Sequence, residues 1–209
     1  MPPFSVLHVC MGNICRSPMA EHMLNMAFAR RLTGSDAVAE ELIYSHSAGT
    51  GGWHAGEKMN PPAAREIKRR GGDASAFEAR KLRSDHIDAA DLILTATADQ
   101  HEYVLALRPD AAARSFVLAE FGRLLAVVDE SALPPAEATP EAVYARGVAL
   151  VAAVDAARAG AESLPADDLD DPWGRGDAAF VRIADEIEST VDPLASRLLA
   201  GIAGPPAFR

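Results

Sequence analysis

The stretch Val6-Leu7-His8-Val9-Cys10-Met11-Gly12-Asn13-Ile14-Cys15-Arg16-Ser17-Pro18 leaves the chain few options. An apolar run ends on a cysteine, a short loop with one glycine follows, and Arg16-Ser17-Pro18 opens a helix. Placed between strand and helix, such a loop turns its backbone N–H groups and the positive end of the helix dipole onto one point. Successive N–H groups curled this way make an anion-binding nest. Cys10 falls beneath that point, so the field that holds an anion also favours a thiolate over a thiol. Arg16 returns to the same loop six residues later. Its planar fork can hold two oxygens of a phosphate. Gly12 lets the backbone approach the anion, and Asn13 tolerates a left-handed conformation.

The sequence of 209 residues is long enough to bury a substantial core and suits one domain, 1–209. Its net charge is −10, unevenly spread: residues 1–120 carry 13 Lys/Arg against 15 Asp/Glu, residues 121–209 carry 7 against 15. Nothing supplies the basic face that nucleic acid or an anionic membrane requires, so both are set aside as partners. No apolar run approaches the ~18 residues of a membrane span. The first residues read as a strand rather than a signal peptide. Two cysteines make no disulfide framework, and a cytoplasmic location is expected.

Along the chain, Phe4–Val9 reads as a buried strand and Ser17–Leu32 as a helix, with Ser17 as its cap, Glu21 near its positive end and Gly34 closing it. Residues 42–47 form a second strand, and Pro61 and Pro62 start a helix that Gly71-Gly72 stops. Residues 91–96 make a third strand, Thr97 caps a helix to Leu107, residues 115–118 make a fourth strand, and a helix follows from Glu120 to Val127. This alternation implies an α/β fold: a doubly wound, three-layer arrangement around a four-stranded parallel central sheet. A segment at 129–165 carries a helix from Pro140 to Ala159 and reads as a helical insertion before the C-terminal helix. That last helix spans Asp177–Ala200, interrupted or kinked near Pro193, before a loose tail at 201–209.

Phosphate-ester cleavage through cysteine needs a thiolate, charge stabilisation for the phosphate oxygens and a proton for the leaving oxygen. Cys10 is the nucleophile, Arg16 the phosphate ligand, and Ser17 can donate a hydrogen bond to the cysteine sulfur. The backbone of Met11, Gly12, Asn13, Ile14 and Cys15 lines the cradle. Only nine residues precede Cys10, so the proton donor is sought downstream, where Asp167, Asp168, Asp170 and Asp171 cluster beside Pro172 and Trp173. Trp53 and Trp173, the only tryptophans, either flank a bound aromatic ring or anchor their loops on the core. Cys15 is either a small buried hydrophobe or a reversible disulfide partner for Cys10. His8 reads as a core histidine, and the remaining histidines show no metal-ligand spacing. No metal or cofactor is expected.

Cys10-Met-Gly-Asn-Ile-Cys-Arg-Ser-Pro resembles the N-terminal loop of the low-molecular-weight protein-tyrosine phosphatases almost residue for residue. The resemblance covers residues 4–127 and again about 169–200. It implies a phosphotyrosine or aryl phosphate substrate and a single phosphatase domain. It also implies a general acid at Asp171, the aspartate before Pro172, over its competitors Asp168 and Asp170. It places Ser47 beside the loop in a supporting network with Asn13 and Ser17, and Trp53 as a substrate wall. Three departures matter. Phe77 aligns where the family often has a bracing histidine, which implies a smaller Asn13–Ser17–Ser47 network. Thr97 replaces a frequent aspartate. Residues 129–165 have no familiar counterpart and could be an added wall, a partner surface or embellishment. Arsenate reductases share the loop but need further cysteines beyond Cys15. A non-enzymatic phosphate-binding or regulatory domain would be expected to lose the nucleophile, the arginine or the acid.

Overall fold

The computed structural model describes residues 1–200; the expected tail lies outside the described residues. Four parallel strands, β1 (Phe4–Cys10), β2 (Ile43–Gly49), β3 (Leu92–Thr95) and β4 (Ser115–Val117), stand in the order β2-β1-β3-β4. All seven residues of β1 are buried, as a central strand covered on both faces must be. Helices α1 (Arg16–Arg31), α2 (Ala39–Leu42), α3 (Pro61–Arg69), α4 (Ser84–Asp88), α5 (Ala98–Leu107), α6 (Leu118–Leu125), α7 (Pro140–Arg158) and α8 (Asp177–Leu198) complete the fold.

One face of the sheet packs Phe4, Val6, Leu92, Leu94 and Phe116 into a core with α1, α3, α6, α7 and α8. The other face sets Leu7, Val9 and Ile93 against Ile87, Val104 and Ala111. The chain steps from β1 to β2 on one side and then to β3 on the other, so the topological switch lies between β1 and β3. A crevice opens beyond the carboxyl ends of such strands, and Cys10 ends β1 there.

Several boundaries differ from those read in the sequence. The one-turn helices α2 and α4 are too short for helical periodicity to reveal. β2 runs on to Gly49 because Gly49 pairs with Cys10 on one side and Lys81 on the other. α6 starts directly at the end of β4, since Glu120 turns back to accept the Val117 N–H at 3.1 Å. Helix α8 continues through Pro193 rather than breaking there. The lost N–H falls in the last turns, where Leu194, Ala195 and Leu198 remain buried.

Helix α7 occupies the end of the sheet away from Cys10. Tyr144 donates to Asp91 Oδ1 at 3.2 Å and Asp91 Oδ2 accepts the Ser5 N–H at 2.9 Å. Arg158 donates to the Ser115 carbonyl at 3.0 Å. A Cβ on Gly147 would stand 2.5 Å from the Phe4 ring, so glycine is what lets the helix close on β1. Ser5, Asp91 and Ser115 mark the beginnings of β1, β3 and β4. Residues 129–165 are therefore not a wall of the crevice.

Candidate active site

The loop 11–15 is held from outside by its carbonyls. Thr50, Gly51 and Asn60 donate their N–H groups to the carbonyls of Cys10, Met11 and Ile14 at 2.9, 2.9 and 2.8 Å. The loop thus turns its own N–H groups toward the centre, and the Asn13 N–H points at Cys10 Sγ from 3.3 Å. Asn13 has φ +55°, the left-handed conformation expected of it. β2 ends against this turn at Gly49, where a Cβ would lie 2.7 Å from the Met11 carbonyl oxygen and 3.0 Å from the Asn13 nitrogen. Gly12 leaves room for the His54 ring, 3.1 Å from where its Cβ would be.

Cys10, Met11, Gly12, Ile14, Cys15, Arg16, Trp53, His54, Asp171 and Trp173 line one cleft of about 230 Å³. Cys10 Sγ lies 3.0 Å from Ser17 Oγ. Ser17 does not cap α1, which begins one residue earlier without a side-chain cap; its hydroxyl is spent on the sulfur instead. Arg16 is buried and donates Nη1 to the Leu169 carbonyl at 3.0 Å and Nη2 to Asp171 Oδ2 at 3.1 Å. Its buried Nε has no partner. Burial and the neighbouring Cys10 push the Cys15 thiol up to about 12, so Cys15 stays protonated.

The four clustered aspartates separate by what they touch. Asp167 holds Arg123 and the Leu164 N–H. Asp168 accepts the Ala98 N–H at the start of α5. Asp170 turns to Arg182 and Arg175. Only Asp171 faces the cleft, with Oδ1 taking the Trp173 N–H at 3.1 Å and Oδ2 on Arg16. Leu169 pins this segment to the sheet edge through its N–H on the Ala96 carbonyl at 2.9 Å. Trp53 and Trp173 are 63% and 65% exposed, which places them as rims of the cleft rather than anchors in the core. Thr97 keeps its capping role, accepting the Gln100 N–H.

The supporting network is not reduced by Phe77, contrary to expectation. Asn13 Nδ2 donates to Ser17 Oγ at 2.9 Å and to Ser47 Oγ at 2.8 Å, while Asn13 Oδ1 accepts the Arg80 N–H at 2.8 Å. Ser47 in turn donates to Glu21 Oε2 at 2.6 Å. Phe77 instead packs edge-on against His22. Three contributors escaped the sequence reading: Glu21, Arg80 and His54. The spacing Ser17, Glu21 could have revealed the first, since residues four apart stack on one helix face. Nothing local marks Arg80, which acts on Asn13 through a backbone N–H. Among the described residues, no group of three or more His, Cys, Asp or Glu could hold a metal ion, and no helix is long and apolar enough to cross a membrane.

The family model described as low molecular weight phosphotyrosine protein phosphatase matches residues 5–130. The chain is 43% identical over 98 residues to the low molecular weight protein-tyrosine-phosphatase YfkJ of Bacillus subtilis, a stretch covering 46% of this chain and 57% of that protein. The crystal structure of YfkJ superposes over 93% of both chains with a TM-score of 0.63 and 22% identity. A YwlE arginine phosphatase from Geobacillus stearothermophilus superposes over 94% of this chain and 93% of its own, with a TM-score of 0.61 and 24% identity. At these identities the two structures speak for a shared fold.

Proposed function

The chain belongs to the low molecular weight phosphotyrosine protein phosphatase family, and from that premise we propose that it hydrolyses aryl phosphate monoesters, phosphotyrosine above all, through a phosphocysteine on Cys10. The observation that carries this reading is the convergence of Cys10, Arg16 and Asp171 on one cleft. The phosphate dianion enters the nest, and its oxygens take the loop N–H groups and the Arg16 fork. Arg16 is thereby drawn off Asp171, whose carboxyl turns to the ester oxygen. Cys10 attacks phosphorus in line and the P–O bond to the phenol breaks, while Asp171, having taken a proton from solvent once Arg16 has left it, gives that proton to the departing oxygen. In the second step Asp171 takes a proton from water, the water oxygen bonds to phosphorus, and the S–P bond returns its electrons to Cys10. Ser17 stabilises the sulfur as nucleophile and as leaving group.

Ile14, Trp53 and Trp173 give the cleft hydrocarbon walls suited to an aromatic ring. A phosphorylated guanidinium would need acceptors for its N–H groups, and among the described residues Asp171 is the only carboxylate lining the cleft. Arsenate reduction would need a resolving cysteine, and the only other cysteine is the buried Cys15. The test compares aryl phosphates, alkyl phosphates, phosphotyrosine peptides and phosphoarginine with wild type and Cys10→Ser. Aryl substrates turned over only by wild type support the proposal. Absence of Cys10-dependent release from any of them overturns it, and faster release from phosphoarginine moves the substrate class.

A further inference from the structure

The hydrogen bonds behind Cys10 have one consistent set of donors and acceptors: they branch from the Asn13 amide and end on Cys10 on one side and on Glu21 on the other. The backbone N–H of Arg80 can only donate, so Asn13 Oδ1 must face it, which fixes the orientation of the amide. Asn13 Nδ2 then gives its two hydrogens to Ser17 Oγ and Ser47 Oγ. Each hydroxyl, already accepting, has one hydrogen left to give. That of Ser47 goes to Glu21 Oε2 at 2.6 Å, and that of Ser17 goes to Cys10 Sγ at 3.0 Å. Asn13 is buried, with all its side-chain hydrogen-bonding groups engaged. Phe77 can neither donate nor accept, so the acceptor that closes the chain comes from α1 itself.

We propose that Glu21 is a positioning residue for Cys10: it fixes the Ser47 hydroxyl as the acceptor of one Asn13 Nδ2 hydrogen, so that the amide, whose oxygen Arg80 holds, keeps its other hydrogen on Ser17 and the Ser17 hydroxyl on the cysteine sulfur. This rests on the phosphatase reading for its kinetic consequence, though the geometry does not depend on it. Removing Glu21 leaves the Ser47 hydroxyl without its acceptor and free to turn, so one of the two Asn13 Nδ2 hydrogens loses a fixed partner while Arg80 still holds the amide oxygen. The phosphate-binding N–H groups and Arg16 are held by other contacts: the carbonyl bonds of Thr50, Gly51 and Asn60, and the Leu169 carbonyl. The effect therefore falls on the reactivity of the sulfur and spares anion affinity.

The experiment measures kcat and KM for an aryl phosphate, inhibition by inorganic phosphate, and the rate of Cys10 alkylation by iodoacetate. The protonated, buried Cys15 does not compete for the reagent. Glu21→Ala is expected to lower both kcat and the alkylation rate about tenfold, the scale of one buried hydrogen bond lost. KM and the phosphate inhibition constant should stay within about twofold, a shift of ~0.4 kcal/mol or less. Glu21→Gln keeps an oxygen acceptor and should restore most of the loss. Ser47→Ala combined with Glu21→Ala should be no worse than either alone. Wild-type alkylation and turnover in Glu21→Ala overturn the proposal. So does a rise in the phosphate constant that matches the fall in kcat, because that is the mark of a loop merely loosened. If wild type turns over no substrate, the phosphatase reading fails, while the alkylation contrast still decides the role of Glu21.

Discussion

Acidification from pH 7.5 to 5.5 offers protons to two histidines that the fold keeps neutral. His46 Nδ1 accepts from Arg80 Nη2 at 2.8 Å, and its Nε2 lies 3.2 Å from Ser5 Oγ. Protonating Nδ1 would remove the acceptor and set an imidazolium against a guanidinium. His8 Nε2 meets Ser45 Oγ at 3.1 Å, and Ser45 already donates to the Glu21 carbonyl, so the histidine is the donor there. Its Nδ1 is buried without a partner. Burial, reinforced by their neighbours, lowers both to about 3 from 6.5.

Because the folded values lie below the unfolded one, the unfolded chain takes up protons first. The stabilisation is complete above pH 6.5 and is lost as pH falls from 6.5 toward 3. Both side chains are almost wholly buried, so solvent screening removes little of the effect. Over pH 7.5 to 5.5 each histidine accounts for about 1.4 kcal/mol, roughly 3 kcal/mol for the pair. His22, His86 and His101 are also lowered, chiefly by burial, and act in the same direction. Glu21 and Glu120, raised by burial, act oppositely. Urea unfolding across this range for wild type and the double variant His8→Gln/His46→Gln cancels those shared contributions. Wild type should lose roughly 3 kcal/mol more than the variant over the two pH units. Parallel stability profiles would refute the reasoning, because they would mean the buried rings protonate as freely as in the unfolded chain.

Asp171→Asn should lower kcat by more than about tenfold, most for poor leaving groups, and tighten inhibition by inorganic phosphate, since the anion no longer competes with a carboxylate for Arg16. Equal kcat in Asp170→Ala and wild type is expected, because Asp170 is turned to Arg175 and Arg182; a loss equal to that of Asp171→Asn would exchange their roles. Gly49→Ala drives a methyl into the Met11 carbonyl oxygen and should cost at least about tenfold in kcat/KM with far-UV circular dichroism unchanged. Trp53→Ala and Trp173→Ala should raise KM for aryl phosphates several-fold more than they weaken phosphate inhibition, as expected of rims that touch the ring alone.

The part of this molecule that the sequence displayed best is the part made by neighbours in the chain. The strand, loop and helix around Cys10 follow from adjacent residues, and Pro172 singles out Asp171 by stiffening the backbone beside it. The four strands were legible as short apolar runs. What could not be read depends on meetings across the sheet. Arg80 braces Asn13 with a backbone N–H that any residue except proline could supply. Glu21 looked like a charge answering the helix dipole, and its engagement with Ser47 exists only because β2 lies beside α1. Helix α7 was plain as a helix, yet periodicity marks its apolar face and not the end of the sheet that the face covers.

Arg16 joins the two halves of this site more directly than a phosphate ligand needs to. One guanidinium nitrogen grips the Leu169 carbonyl, the next grips Asp171, and Leu169 is itself fastened to Ala96 at the end of β3. The segment that carries Asp171 therefore takes its position from Arg16, the proposed phosphate ligand, across 155 positions of sequence. The Asp171 carboxylate occupies a place on the fork that, on the proposed mechanism, a phosphate oxygen takes. An incoming phosphate need displace only Asp171, because the Leu169 contact holds the guanidinium in plane while the exchange occurs. On the proposed mechanism the acid is released as the ester arrives, beside the leaving oxygen. A lysine at position 16 would carry the charge without the fork, and could not hold the segment and the substrate together.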